Sequence, residues 1–407
     1  METDVKPETD SSSNVAVIGG GATGLIAALA LASGGLRVSL VAPQRPVDPR
    51  TTALMDGSMQ ALKALGVWEH LRPVASPLRI MRLVDGTRRL MRAPEVSFRA
   101  DELELEAFAW NLENETLLAT LDAAVAESAL IERVTAKVLH VIDGPAHATV
   151  ELDSGRSLTV PLVAAADGRN SPCRRDAGIA MRTRDYPQVA VTATLAHTRA
   201  HNDISTEFHT ETGPSTLVPL PGNRSSVVAV VSPADAERLG ALDDSAFARA
   251  IEKRVHSILG AMTLGSPRGH FPLSVRTAER FAKGRIVLLG EAAHVIPPIG
   301  AQGLNLGIRD AATLAELASD AFKAGEDIGA QKLTDDYETR RRADVTSRSV
   351  AIDLFNRSLM TDFLPIQGLR GLGLWALGRM PSLRKVVMRE GVGPTSHMPR
   401  LLAGEPL

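Results

Sequence analysis

The sequence predicts an α/β protein in which a Rossmann-like dinucleotide-binding domain is interleaved with a mainly antiparallel β-sheet domain and followed by C-terminal helices. Three observations predict it. A glycine fingerprint sits between a short apolar strand, Asn14-Val-Ala-Val-Ile18, and a helical stretch over about Ala22 to Ser33. The middle of the chain, from Gln188 to Val231, reads as successive short strands without a helical period. The α/β pattern then resumes at Phe281 and runs to Ala318. A domain that stops and restarts around a β segment is discontinuous, and 407 residues suggest more than one compact core.

Taken in order, the strand and fingerprint helix lead to a second strand, Arg37 to Ala42, stopped by Pro43; together they form a βαβ unit. Asp48 to Met59 reads as a polar loop entering a helix that ends near Gly66. Short strands follow from Leu78 to about Ala109, then a helix over Glu115 to Ser128 with Leu117, Leu118, Leu121 and Val125 on its apolar stripe. A hairpin crosses Val138 to Val160 with its turn at Asp153-Ser-Gly155, and Val163 to Ala166 is a buried strand. We divide the chain into a disordered leader (1–13), dinucleotide-binding parts at 14–77, 111–180 and 276–330, β-sheet parts at 78–110 and 181–275, and a C-terminal helical region at 331–407.

The bulk numbers exclude several classes. A formal net charge of -2 gives no attraction to nucleic acid. The one cysteine, Cys173, permits no internal disulfide framework and makes a reducing, cytoplasmic compartment the default. Ser11 to Leu36 carries no charge over 26 residues, long enough to span a bilayer. However, it contains six glycines and follows an acidic N-terminus, so a buried βα unit explains it better than a membrane span or a signal peptide. Cys173, His209 and His270 lack metal-ligand spacing, and we assign no metal.

Chemistry is carried by three separated motifs. In Gly19-x-Gly21-x-x-Gly24, the first glycine allows the tight turn, the second the approach of a pyrophosphate, the third close helix–strand packing. Asp167-Gly168, after the buried strand and before Arg174 and Arg175, suits a second contact to the same ligand. Gly290-Glu291 ends the strand Arg285 to Leu289 and opens a loop with Pro297, Pro298 and Gly300, which enters a helix at Gly303, Leu304 and Asn305. Backbone N–H groups at that helix start would face an anionic ligand, and Glu291 could accept from sugar hydroxyls. One expected residue is missing: where an acid should end the second strand stands Ala42, followed by Gln44, a substitute acceptor, and Arg45, which alone would hint at a phosphorylated ribose.

These motifs, in this order and spacing, resemble those of the FAD-dependent aromatic hydroxylases, the para-hydroxybenzoate hydroxylase-like group. Arg50 before Thr51-Thr-Ala-Leu54, Gln302 to Asp310, Tyr337 with Arg341-Arg342 and Asp344, Gly213-Pro214 with Val218-Pro-Leu220, and Glu113-Asn114 are more typical of its ubiquinone-biosynthesis branch. The resemblance covers roughly residues 14 to 390, and departs at Glu291, where the group usually has aspartate. It implies FAD held by Gly19, Gly21, Gly24, Arg50, Asp167, Gly168, Gly290, Glu291, Gly300, Gly303, Leu304 and Asn305, with Pro297 and Pro298 facing flavin and substrate. It implies NADH or NADPH as electron donor, O2, and hydroxylation of a lipophilic phenolic ring, a polyprenylated precursor of ubiquinone, through a flavin hydroperoxide. No side chain is assigned as acid or base; His294 is read as structural. Two alternatives stay open: an FAD oxidoreductase on another phenolic or prenyl-lipid substrate, and a non-catalytic assembly subunit of the same fold. Phe363 to Arg389 carries five Lys or Arg and no acid among Leu, Trp and Met. We read it as terminal helices with a solvated basic face; the other reading is an interfacial element, peripheral at the inner membrane or in a biosynthetic complex.

Overall fold

A computed structural model describes residues 9–10, 13–87, 94–298, 300–360, 379–392 and 397–407. Its core is a six-stranded sheet in the spatial order Ala282–Lys283, Ile286–Leu288, Leu162–Ala165, Val15–Ile18, Val38–Val41, Ile131–Val134. All neighbours pair in parallel except the first two. The four strands from Ile286–Leu288 to Val38–Val41 are buried along their length, which explains their continuous apolar runs.

The fingerprint helix Ala22–Ser33 packs on the long helix Gln302–Lys323 through small residues. A side chain on Gly34 would fall 1.7 Å from Ser319 Oγ, and one on Gly307 2.5 Å from Thr23 Oγ1. The closeness therefore depends on the missing Cβ atoms.

The second large sheet has nine strands, drawn from four stretches of the sequence. Ile80–Asp85 and Val96–Arg99 lie at one end, Met181–His197 to Arg224–Val231 form the middle, and Gly269–Ala278 and the two-residue strand His294–Val295 form the other end. Its two faces are segregated by the strand period of two. Val191, Ala193, Leu195, Val227, Ala229 and Val231 pack with Phe247 and Ile251 of the helix Asp244–Arg254. The alternate residues Ala190 and Val230 join Tyr186 and Leu273 in a separate apolar cluster, with Val228, Phe271 and Val275 against it.

A three-stranded sheet, Thr51–Met55, Ala109–Glu113 and Ser76–Leu78, lies between the two larger ones. Asp48 to Met59 is therefore not simply the polar loop expected. Thr51-Thr-Ala-Leu-Met55 pairs antiparallel with Ala109–Glu113, and the helix Asp56–Ala64 begins at once. Strand pairing with a distant segment overrides a weak local signal here. Within the segment expected to be a disordered leader, Thr9–Asp10 forms a short parallel strand beside Ser157–Leu158; residues 1–8, 11 and 12 lie outside the described residues. The tail begins with the helix Gln331–Met360 and later forms the helix Pro381–Val392. Residues 361–378, which hold most of the basic apolar stretch, also lie outside them.

Candidate functional site

Three adjacent parallel strands bring the three motifs to one edge. Ile18 pairs with Ala165 and Ala165 with Leu288, so Gly19, Asp167 and Gly290 all follow the carboxyl ends of neighbouring strands. That edge is where open α/β sheets take up ligands. The motifs also touch. A Cβ on Gly19 would lie 2.2 Å from the Ala166 carbonyl oxygen, and Gly19 has φ +121°, so glycine is required twice over. A Cβ on Gly24 would sit 1.9 Å from the Gly19 oxygen, whereas one on Gly21 would meet nothing within 4 Å. Gly21 is the N-cap of a 12-residue helix with no side-chain cap, so the first-turn N–H groups face open space.

Asp167 presents the clearest unfilled hydrogen-bonding capacity. Its Oδ2 accepts from the Cys173 N–H at 3.1 Å, while its Oδ1 is buried and has no partner. A buried carboxylate oxygen without a donor is costly unless a ligand supplies one. Beside it, Gly168 has φ +84° and nothing within 4 Å of where a Cβ would stand. Cys173 itself is fully buried, and burial first, then the Asp167 charge, pushes its thiol far above the ordinary range, so it is no nucleophile.

The third motif is anchored from beneath. The Gly290 N–H donates to Asp310 Oδ2 at 2.9 Å, and His294 Nε2 lies 2.6 Å from the same oxygen. Arg341 donates to the other oxygen at 2.6 Å and also pairs with Asp344. Burial would raise the Asp310 carboxyl, but the charges of His294 and Arg341 outweigh it and hold the group down at about 2. His294 thus lies within a buried ionic network. Among the described residues, no cluster of His, Cys, Asp and Glu could hold a metal.

Above this base, Glu291 pairs with Arg169 at 3.3 Å, both partly exposed. The helix Gln302–Lys323 starts at Ala301, a left-handed residue with φ 53°, and has no side-chain N-cap. Gly300 and Gly303 meet nothing within 4 Å of a built Cβ, so the first turn, with the Gly303 and Leu304 N–H groups, opens outward. The Asn305 side chain faces inward instead. Its Oδ1 accepts from Met55 N–H at 2.9 Å, and its Nδ2 donates to the Ala53 and Ala301 carbonyls. Asn305 therefore clamps the helix start to the Thr51–Met55 strand, a role the sequence did not suggest.

Arg50 makes a two-point ion pair with Asp48 at 2.7 Å, and Asn114 donates to the same carboxylate at 2.8 Å. Partial burial opposes ionisation of Asp48, yet these bonds leave its carboxyl below the ordinary value. The Arg50 guanidinium stands 5.6 Å from the Phe271 ring centroid, on the second face of the large sheet. The loop is tied to that sheet too, because His294–Val295 pairs with Arg276–Thr277. Ala301 packs beside Ala53, Leu78, Ala109 and Val218. Pro297 and Pro298 lie in this loop, between its sheet-bound strand and the helix start.

An unpartnered buried carboxylate oxygen, an open glycine cradle at a helix start and a second uncapped helix start fit a dinucleotide with a pyrophosphate and a sugar chain. The comparisons agree with this geometry. A family model described as an FAD binding domain matches residues 12–350. The chain is 31% identical to the ubiquinone hydroxylase UbiL of Rhodospirillum rubrum over 99% of this chain and 95% of that one. It is 29% identical to the 3-demethoxyubiquinol 3-hydroxylase of Escherichia coli, over 95% and 100%. Among solved structures, p-nitrophenol 4-monooxygenase PnpA of Pseudomonas putida superposes with a TM-score of 0.78 at 21% identity, covering 96% of this chain and 100% of that one. HpxO of Klebsiella pneumoniae, solved with FAD and uric acid, superposes at 0.75 and 21% identity, over 94% and 98%. With the three motifs gathered on one edge and the family model spanning most of its length, the chain belongs to the FAD-binding-domain family of flavin-dependent monooxygenases.

Proposed function

We propose that this protein hydroxylates the aromatic ring of a polyprenylated phenol on the way to ubiquinone, using O2 and NADH or NADPH. The observation that carries the substrate class is the apolar second face of the large sheet. There Arg50 lies against Phe271, which with Val228 and Val275 is only partly buried above the buried Tyr186, Ala190, Val230 and Leu273, and such an apolar surface suits a lipophilic ring. Relatives named as ubiquinone hydroxylases support the same reading.

Bound FAD would supply the electron-transfer and oxygen chemistry of such a reaction. The protein's part is binding and placement. Gly19, Gly21 and Gly24 admit the pyrophosphate at the fingerprint helix. Asp167 Oδ1, beside Gly168, and Glu291, beside Gly290, offer acceptors to sugar-chain hydroxyls. The Gly303 and Leu304 N–H groups, held by the Asn305 clamp below Gly300, favour negative charge at the ring edge. Arg50 closes the site between loop and sheet, and Pro297 and Pro298 shape the wall between flavin and substrate and help exclude water.

Product analysis tests the reading directly. Incubating purified enzyme with a prenylated phenol, reduced nicotinamide and labelled O2 should give a product heavier by one labelled oxygen atom. Substrate turnover without oxygen gain would favour an oxidoreductase of the same fold and sink the hydroxylase.

A lipophilic substrate raises the question of where the enzyme meets it. No described helix is long and apolar enough to cross a membrane. The helix Pro381–Val392 is held down by buried Met388, which packs with Ala100 and Phe108, and by Arg384 on Glu102 at 2.8 Å. Its outer side leaves Leu383 and Val386 exposed with Lys385 beside them, and Arg379 and the exposed Met380 come just before it. An apolar stripe edged by cations suits the interface of an anionic bilayer, and we assign this helix a peripheral membrane contact. Replacing Leu383 and Val386 together by glutamate should abolish flotation with anionic liposomes while leaving flavin content unchanged. Flotation equal to the unaltered protein would remove the helix from the contact.

A further inference from the structure

At the adenosine end of the crevice the sequence lacks its expected acid. Ala42 follows the strand Val38–Val41, is buried, and stands 2.8 Å from where a side chain on Gly20 would begin. It offers a methyl group and no acceptor. Gln44 is exposed and points to no described partner. Arg45 turns inward instead. One of its guanidinium nitrogens donates to the Gly20 carbonyl of the fingerprint at 3.3 Å, and the other pairs with Asp122.

Asp122 comes from a different element, the helix Asn114–Glu127. Its second oxygen, Oδ1, is buried 2.7 Å from Arg133 of the strand Ile131–Val134 yet receives no hydrogen bond; that strand is the parallel neighbour of Val38–Val41, with Val134 beside Val41. Two arginines thus converge on one carboxylate, and one of them links it to the fingerprint turn beside Ala42. Burial raises the Asp122 carboxyl, but the Arg45 and Arg133 guanidiniums outweigh it, so the group is ionised at neutral pH. An ionised carboxylate has about four lone-pair positions; Arg45 takes one at Oδ2, and the buried Oδ1 accepts no hydrogen bond. About a quarter of the side chain, 24%, remains exposed.

We propose that Asp122 is the acceptor for the adenosine ribose hydroxyls of FAD in this chain, with Arg45 and Arg133 as its positioning residues. The acid that a dinucleotide-binding strand normally carries at its own end is here delivered by the helix Asn114–Glu127 and steered by the cations. This rests on FAD being the cofactor.

The test is flavin uptake by the stripped apoprotein, followed by flavin fluorescence, with FAD, FMN, and an FAD analogue whose adenosine ribose lacks both hydroxyls. Hydrogen bonds to a charged acceptor predict that Asp122→Ala weakens FAD by about tenfold to a hundredfold and leaves FMN unchanged. The analogue should bind the unaltered protein as weakly as FAD binds Asp122→Ala, and should lose nothing further in that variant. Adding Ala42→Glu to Asp122→Ala should restore FAD affinity, which separates a lost ribose contact from a damaged fold. Unchanged FAD affinity in Asp122→Ala, equal weakening of FAD and FMN, or a persisting penalty for the analogue in the variant would each overturn the proposal. An unaltered apoprotein that takes up FMN and FAD equally poorly would instead overturn the cofactor assignment, and this proposal with it.

Discussion

Replacing Asp310 by alanine is expected to destabilise the protein by about 3–5 kcal/mol, because it breaks a buried ionic network and takes from Arg341 one of its two carboxylates. Asp310 is 1% exposed, pairs with Arg341 and His294, and accepts from the Gly290 N–H. Removing it leaves the Arg341 guanidinium, itself 4% exposed, with Asp344 alone and frees the turn beneath Glu291. Urea unfolding of the apoprotein should show the loss as a shifted midpoint with an unchanged slope. Flavin content should fall with it, since the Gly290 turn loses its anchor. A change below about 1 kcal/mol would place the ion network among the expendable ones.

The same carboxyl fixes a pH dependence. Its folded value, about 2, lies below the ordinary carboxyl value of about 3.9. The stability it contributes is therefore fully present above the unfolded value and is lost as pH falls from about 4 through 2. Acid unfolding of the unaltered protein should steepen in that window, and Asp310→Ala should flatten it.

The second large effect separates folding from binding. Gly21→Ala should leave the apoprotein as stable as before, because Gly21 has φ -75° and a Cβ there meets nothing. The added methyl group would instead occupy the approach to the fingerprint helix, where a pyrophosphate must come close to the backbone. A loss of about a hundredfold or more in FAD affinity is expected, about 2.7 kcal/mol. Gly24→Ala should behave oppositely and unfold the βαβ unit, since its Cβ would press to 1.9 Å from the Gly19 oxygen. Calorimetric titration of FAD into the stripped Gly21→Ala protein, beside its melting curve, reads both quantities. Undiminished FAD affinity would mean that the pyrophosphate does not sit there.

The course of the chain through strand and helix was legible wherever local pattern and tertiary role coincide. The buried strands Val15–Ile18 and Leu162–Ala165, the fingerprint helix and the hairpin up to Val160 carry their own periodicity and turn residues. Thr51–Met55 was not legible, because its strand character comes from a partner about sixty residues away, with Thr51 opposite Glu113. The motif residues could be named because glycine, aspartate and proline at fixed offsets leave a local trace. Asn305 could be named as part of a helix start, but its clamp on Met55 could not, since nothing near either residue announces the other. Asp122 left no trace at all: a carboxylate midway along an amphipathic helix looks like a solvated one. Its significance appears only when Arg45 and Arg133 are seen to converge on it.

The strand order of the six-stranded sheet also sets a timetable. Ile286–Leu288 joins it beside Leu162–Ala165, and the nine-stranded sheet closes with His294–Val295. Asp310, which holds the Gly290 turn, comes later still, and Arg341 later again. As the chain leaves the ribosome, the cofactor edge therefore stays incomplete until more than three quarters of the protein has been made. The fingerprint helix waits through synthesis for the helix Gln302–Lys323 to cover it. A nascent chain arrested before that helix emerges should expose the apolar fingerprint segment to chaperones and carry no flavin, whereas release of the finished chain should allow both to change together.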